Sequence, residues 1–565
     1  MMDRRGFLRG TVGLTGAVVL GACSSGSDST SGTVTTLAPG ASPGGLAPAS
    51  RPTLRLAGGD FGFPSPFAYS RGPGYWRMSY LYDTLLWKDS TGELLPWLAR
   101  DMTRSDDGLV YTFELRDDVA WSDGQPLTAD DVAFTFEYFA AQKLSPQIFV
   151  RPQDVEKVTA TSATGVEIRL ARPVVTFAGS VAGALPIVPR HIWSSVGDAS
   201  MATDPALLVG SGPYRLDSYS AGEGAYLFSA NDGYFLGKPF VARIENQPVG
   251  DELTALLAGE LDAGGPSPTG AGREALAPFR ADPSFEVLEG PGDFTLGLYW
   301  SLGKGGALAD ARFRQACVTA IDRGDIVTRL LGGNGNPGNP GFLPPSNPFY
   351  NAKVQQYPFS VEAANRMLDE AGYARSGSGP RSGPGGQPLR FGLLVGNDPV
   401  PPVTDLVVRA LQAVGVELTP QAVDRPTRDA RTTSGDYELA ITNYGGLGGD
   451  PDYLRQVYSS KVPKRFQSAQ GYANPEFDDL AQRQLVALDD AERRRLLDRM
   501  QEIVATDVPL LPLYFPTLFH IFRTEVFDQW YFTPGGFAGG IPTVFNKQAF
   551  ITGLKTGTEV RPIKE

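Results

Sequence analysis

Histidine and cysteine are nearly absent from this chain: two of each in 565 residues. At most one intrachain disulfide, Cys23 to Cys317, could form, so the body must be held by its core. His191 and His520 are far apart, without Cys or Asp at ligand spacing, which argues against a zinc site; no metal is expected. A surplus of positive charge is also missing. Lys and Arg number 50 against 62 Asp and Glu, a net charge of −12. The electrostatic footprint of a nucleic-acid binder is therefore absent.

Enzyme motifs are equally sparse. Ser301-Leu302-Gly303-Lys304 fits Ser-x-x-Lys, but the companion Ser-Asp-Asn and Lys-Thr-Gly elements are missing. Gly303-Lys304-Gly305 lacks the Ser or Thr of a phosphate loop. Asp130-Asp131 reads as helix capping rather than a catalytic pair, with Thr128 as N-cap and Asp131 as the third helical residue. The chain is expected to be no enzyme and to need no cofactor. An anchored hydrolase built on Ser301 and Lys304, or on a carboxylate pair, is the alternative from a different class.

What is abundant is small and apolar. Gly (67) and Pro (46) imply many loops, and 42% hydrophobic residues suffice for a core larger than one ordinary domain. The N-terminus runs Asp3-Arg4-Arg5-Gly6-Phe7-Leu8-Arg9, then an apolar stretch from Gly10 to Ala22, closed by Leu20-Gly21-Ala22-Cys23. A basic head, a short apolar middle, small residues and then cysteine resemble a bacterial lipoprotein signal. Arg4 and Arg5 resemble the twin-arginine export signal. The stretch falls short of the ~20 residues of a membrane span. Residues 1–22 are expected to be removed, Cys23 to be acylated, and the body to stand outside the cytoplasm, anchored to the membrane by lipid. Residues 23–52, mostly Ser, Gly, Thr, Ala and Pro, bury too little to offset their ordering entropy and should form a flexible tether.

In the body, Thr53–Ala57 and Val110–Leu115 alternate as strands, the latter with Tyr111, Phe113 and Leu115 on one face. Helical spacing predicts helices from Thr128 to Ala141, across Asp310–Leu331 with an interruption at Gly324, and over Ser360–Ala371, Val403–Val414 and Ala491–Thr506. Cys317 falls on a buried stripe and reads as a core thiol. Strands are expected at Leu389–Leu394, Asp436–Thr442 and Leu510–Phe515, and a mobile Gly/Ser/Pro insertion at 374–388. Alternating strands and helices favour an α/β architecture.

Several segments together resemble one family. They are Leu81-Tyr82-Asp83-Thr84-Leu85-Leu86, Gly92-Glu93-Leu94-Leu95-Pro96-Trp97-Leu98-Ala99, Ser105 to Arg116, Trp121 to Val132, Gly210-Ser211-Gly212-Pro213-Tyr214, and Asp310 to Ala316 with Ala320-Ile321-Asp322-Arg323. In this order they resemble the family 5 extracellular solute-binding proteins, the substrate-binding subunits of peptide and nickel ABC importers. The resemblance implies a two-lobed periplasmic-binding-protein-like fold, type II, of the three-domain peptide-binding class. Domain I would take 53–82, 205–297 and 510–560, domain II 83–204 and domain III 298–509. The chain would cross between lobes near Gly297–Ser301 and Val508–Leu513. It further implies a monomer that clamps a di- or oligopeptide, or another solute such as an oligosaccharide or metal chelate. The protein would hand that solute to a membrane permease driven by a separate ATPase.

Candidate ligand contacts are Asp60, Phe61 and Tyr75 in the aromatic loop after the first strand, and Tyr299 and Trp300 at the expected hinge. Asn443, Tyr444, Asp450 and Tyr453, after the Asp436–Thr442 strand, complete the set. Tyr and Trp suit such a site because they pair an apolar face with a polar edge. One departure stands out. Dipeptide-binding relatives carry an aspartate for the peptide ammonium just before Gly-Asp-Pro of this last loop, where this chain has Leu447. Asp450 or Asp60 would have to serve instead, or the ligand is not a simple peptide.

Overall fold

The computed structural model describes the strand Val34–Thr36 and residues 53–552, except 70, 143–153, 266–272, 291, 376, 378, 398–399, 466, 538–539 and 541–542. Arg4, Arg5, Cys23 and the rest of the tether lie outside the described residues. Val34–Thr36, inside the expected tether, pairs antiparallel with Tyr214–Ser220.

Three sheets of four or more strands carry the body, beside the two-stranded pair Leu86–Lys88 and Leu94–Pro96. An eight-stranded sheet runs in the order Val34–Thr36, Tyr214–Ser220, Ala225–Ala230, Arg243–Gln247, Thr53–Ala57, Ala263–Gly264, Leu518–Arg523, Phe285–Gly290. A four-stranded antiparallel sheet joins Ala99–Arg104, Val110–Leu115, Gly165–Leu170 and Val155–Ala160. Side chains from both, including Leu54, Phe228 and Ile244 from the first and Tyr111, Phe113 and Ile168 from the second, share one continuous core. These two sheets therefore form one lobe. Tyr111, Phe113 and Leu115 are buried while Thr112 is exposed, the alternation of a strand with one covered face.

The second lobe is a six-stranded sheet in the order Gly335–Pro337, Leu510–Pro516, Phe294–Trp300, Leu439–Gly445, Arg390–Gly396, Glu417–Val423. Helices cover both faces, which is why its central strands read as near-continuous apolar runs. Leu298, Trp300, Leu393, Val395 and Ile441 pack under Ala311–Thr319, Arg323–Leu331, Val361–Glu370 and Val403–Ala413. Tyr299, Leu394 and Ala440, their sequence neighbours, point the other way onto Tyr453–Tyr458, Pro475–Val486 and Asp490–Asp507.

Local chemistry explains where the elements stop. The Thr128 N–H donates to Asp131 Oδ2 at 2.9 Å and the Arg190 N–H to Oδ1 at 2.9 Å, so Asp131 is fully used in capping. The helix expected across Asp310–Leu331 is two helices, Ala311–Thr319 and Arg323–Leu331. The break falls before Gly324 because Asp322 caps the second, accepting from the Asp325 N–H at 2.9 Å. The long helix Asp490–Asp507 ends at Val508, a left-handed non-glycine residue with φ 44°. Buried Arg314 there donates from Nε to the Asp507 and Val508 carbonyls at 3.1 and 3.0 Å, satisfying acceptors that a helix end leaves open.

Two expectations are corrected. The chain crosses between the eight- and six-stranded sheets at Gly290–Phe294 and Pro516–Leu518, not at Gly297–Ser301 and Val508–Leu513, because Phe294–Trp300 and Leu510–Pro516 are paired partners inside the six-stranded sheet. Within the insertion at 374–388, the described part around Arg381 is fastened rather than loose. Arg381, 2% exposed, donates to Asp369 Oδ1 at 2.5 Å, the Tyr373 carbonyl at 2.6 Å and the Val414 carbonyl at 2.9 Å. One arginine with that many acceptors fixes a segment whose composition carries no periodic signal.

Candidate functional site

The two lobes meet around a cavity of about 120 Å³. The large lobe contributes Lys88, Asp154 and the segment from Val174 to Val181, with Gly535 and Gly540 from the C-terminal loop. Within that segment Ala178–Ala182 is a single wide turn, closed by the Gly183 N–H on the Ala178 carbonyl at 2.8 Å. The small lobe contributes Tyr444 at the end of its strand, then Asp450, Asp452, Tyr453, Arg455 and Gln456 from the loop and helix that follow. Leu485 seals one side, and its carbonyl accepts from the Val175 N–H of the other lobe at 3.0 Å.

Of the candidate contacts, the structure brings Tyr444, Asp450 and Tyr453 to this cavity. Tyr444 and Tyr453 lie 5.7 Å apart and both pack on Phe342. The Tyr453 hydroxyl donates to the Leu447 carbonyl at 2.7 Å, and burial pushes both tyrosine hydroxyls above their ordinary range, so both stay neutral. Asn443 is half-buried beside them without lining the cavity.

The other five lie elsewhere. Tyr299 and Trp300 are core residues on opposite faces of the six-stranded sheet, 1% and 0% exposed. Tyr75 is buried with its hydroxyl on the Ala184 carbonyl at 2.9 Å. Asp60 and Phe61 build a local cluster in the large lobe. Asp60 accepts from the Tyr219 hydroxyl at 2.7 Å, the Phe61 N–H donates to the Tyr226 hydroxyl at 2.9 Å, and the Arg77 guanidinium lies over the Phe61 and Tyr226 rings at 4.7 and 4.8 Å. The aromatic loop is thus shaped by its own lobe, and those side chains are spent on holding it. Ser301 is buried and Lys304 exposed, so the Ser-x-x-Lys match makes no reactive pair.

Asp450, offered as an ammonium partner, is already engaged: Arg493 donates to both its oxygens at 2.7 Å. Asp452 is likewise held by Arg455 at 2.5 and 2.7 Å, and Asp154 by Arg172 at 2.9 Å. Lys88 is different. It donates to the Gly536 carbonyl at 2.9 Å, and among the described residues no carboxylate lies within ion-pair distance of it. Burial pulls its pKa down, although Asp450 and Glu93 act in the opposite direction. Sequence reasoning missed Lys88, which falls between the matched segments Leu81–Leu86 and Gly92–Ala99. Asp452 and Arg455 were legible as an i, i+3 charge pair.

Beside the cavity the lobes touch through glycines. A Cβ on Gly540 (φ +89°) would lie 2.3 Å from the Gly446 carbonyl oxygen, and one on Gly449 would lie 2.8 Å from Gly540 Cα. Only bare backbone permits this approach. Beneath the same loop lies Asp293, 1% exposed, whose backbone carbonyl accepts from the Leu447 N–H at 3.0 Å and whose Oδ1 accepts from the Ser346 hydroxyl at 3.1 Å. Burial pushes its carboxyl up to about 6.

Residues 93–465 match the family described as bacterial extracellular solute-binding proteins, family 5 Middle. The chain belongs to that family. Protein XP55 of Streptomyces lividans is 30% identical over 418 residues, covering 71% of this chain and 72% of that protein. The oligopeptide-binding protein AppA of Bacillus subtilis is 25% identical over 453 residues, covering 77% of this chain and 81% of AppA. The crystal structure of NikA from Brucella suis in complex with Fe(III)-EDTA superimposes with a TM-score of 0.75 at 22% identity, over 87% of this chain and 100% of NikA. This family 5 protein thus has the type II two-lobed fold expected for the peptide-binding class. It belongs with substrate-binding proteins of ABC importers, extracytoplasmic proteins that are not enzymes. No described helix is long and apolar enough to cross a membrane, and no described group of three or more His, Cys, Asp or Glu is placed to hold a metal ion.

Proposed function

We propose that this chain captures a di- or oligopeptide between its lobes and delivers it to an ABC permease, working as a monomer anchored outside the membrane by lipid on Cys23 after export through the Arg4-Arg5 signal. The observation that carries this reading is the cavity, to which both lobes contribute aromatic and charged side chains. Such a site binds best when the lobes close, so ligand shifts the population toward the closed form and needs no chemistry to do so. The name of the AppA relative favours peptide; the NikA complex keeps a metal chelate as the second candidate. The eight- and four-stranded sheets mark two domains of the large lobe and the six-stranded sheet the third, with the crossings Gly290–Phe294 and Pro516–Leu518 dividing the lobes. Tyr444, Asp450 and Tyr453 act as ligand-facing residues of the small lobe.

Thermal unfolding with and without a mixed tetrapeptide library tests this. A peptide at 100 times its dissociation constant should stabilise the protein by about 2.7 kcal/mol without being consumed. Stabilisation by a metal chelate and by no peptide would replace the substrate class, and conversion of the peptide to product would remove the binding-protein reading altogether.

A further inference from the structure

The charges around the cavity are paired off with one left over. Asp154, Asp450 and Asp452 each already have an arginine, Arg172, Arg493 and Arg455, at 2.9 Å or less. Asp450 and Asp452 are held through both oxygens and Asp154 through Oδ1 alone, and a carboxylate engaged by a guanidinium has less left with which to attract a ligand cation. Lys88 faces the same cavity with one of its three donors on a backbone carbonyl and, among the described residues, no carboxylate within ion-pair distance. Asp450, the acid across the cleft that acts on it, is the one chelated by Arg493. An ammonium partly withdrawn from water without a full partner is a costly arrangement, and an arriving anion relieves it.

We propose that Lys88 is the specificity-determining residue of the cleft and that it selects ligands carrying an acidic group, a carboxylate or a phosphate, whose oxygen accepts from Lys88 Nζ. This rests on the reading of the cavity as the solute site, and for a peptide the acid is its C-terminal carboxylate. It also accounts for the absent ammonium partner at Leu447, because the ligand is then held by its acidic end. The hydroxyl residues Thr176 and Ser180, from the turn beside Lys88 in the lining, suit the remaining acceptors of such a group.

The test is calorimetric titration of the full chain with four probes: tetrapeptides free of Asp and Glu, the same peptides amidated at the C-terminus, citrate, and inorganic phosphate. Free peptides are expected to bind at least tenfold more tightly than amidated ones. Lys88→Gln should abolish that difference and Lys88→Arg should retain it, the latter also guarding against a folding defect. Binding of citrate or phosphate that depends on Lys88, with neither peptide set bound, would support acid recognition while overturning the peptide reading. Equal affinity for free and amidated peptides, unchanged in Lys88→Gln, would overturn the role of Lys88 and leave peptide binding standing. Failure of every acidic probe to bind would also overturn it.

Discussion

Two lysines of the large lobe, half-buried Lys88 and fully buried Lys547, have opposite environments although they are linked through one residue. Lys547, 0% exposed, pairs with Asp83 at 2.5 Å, donates to the Ser79 and Tyr82 carbonyls at 3.0 and 3.2 Å, and lies 4.3 Å from the Trp87 ring. Its neighbour Asn546 donates to the Lys88 carbonyl at 3.0 Å and accepts from Trp87 Nε1 at 2.8 Å. Every donor of Lys547 is satisfied inside the protein, whereas Lys88 has one partner and an open cavity. A saturated ammonium pins the C-terminal helix Lys547–Thr552 to the lobe; an unsaturated one is available to a ligand. Type of residue does not separate the two roles, but the count of satisfied donors does.

Removing the charge partner of Lys547 is the strongest way to break this contrast. Asp83 Oδ1 also accepts from Trp97 Nε1 at 2.8 Å and the Tyr234 hydroxyl at 3.1 Å, and Oδ2 from the Ser211 hydroxyl at 3.1 Å. Asp83→Asn leaves an uncompensated buried ammonium, a loss of about 3–5 kcal/mol. Lys88→Gln should stay within about 1 kcal/mol of the parent. Urea unfolding of both variants measures the difference, and similar losses would show that the two lysines are equally structural.

Asp293 extends the contrast to an unsaturated anion, with no cation within ion-pair distance among the described residues. Burial raises its carboxyl from 3.8 to about 6. The folded chain therefore keeps a proton that the unfolded chain releases. Stability from this group is complete below pH 3.8 and is lost as pH rises through about 6. That rise corresponds to about 3 kcal/mol at most. His520, pushed down to about 3 by burial against Trp530, has the reverse sign: its contribution is present above pH 6.5 and lost as pH falls through about 3. Asp293→Asn should thus stabilise the protein at pH 7 and leave it unchanged near pH 4. Melting curves across that range check it, and a pH-independent effect would mean that Asp293 is neutralised by something other than its proton.

Much of this architecture was legible from residue spacing. The strands Thr53–Ala57 and Val110–Leu115 and the helix Asp490–Asp507 lie where alternation and helical periodicity put them, because each buries one face. The site was less legible. Tyr299 and Trp300 carry a mark of ligand contact, large aromatics near a crossing, yet a strand buried on both faces uses the same residues as core. Asp60 and Phe61 are occupied by Tyr219 and Tyr226, more than 150 positions along the chain, a pairing no local pattern reveals. Lys88 is recognisable only once the arginines that neutralise Asp154, Asp450 and Asp452 are seen in place, since an unpaired charge is a property of the whole cavity.

The smallest expected effect concerns the glycine contact that brings the two lobes together next to Lys88. The loop that supplies Gly536 to Lys88 also supplies Gly540, which meets Gly446 and Gly449 of the other lobe backbone to backbone. A branched side chain at 540 is strained twice, by the positive φ of +89° and by the 2.3 Å approach of its Cβ to the Gly446 carbonyl. The second strain, the contact with Gly446, is relieved if the lobes stand apart, while the first is local to the loop. Gly540→Val should therefore act on closure more than on folding, weakening ligand by about tenfold, or ~1.4 kcal/mol, since ligand must now also hold a strained closed form. Small-angle scattering with and without ligand separates the possibilities. The parent should contract on binding and the variant should contract less at equal occupancy. Full contraction with unchanged affinity would show that the glycines are incidental to closure and that the cleft is governed by the side chains around Lys88 alone.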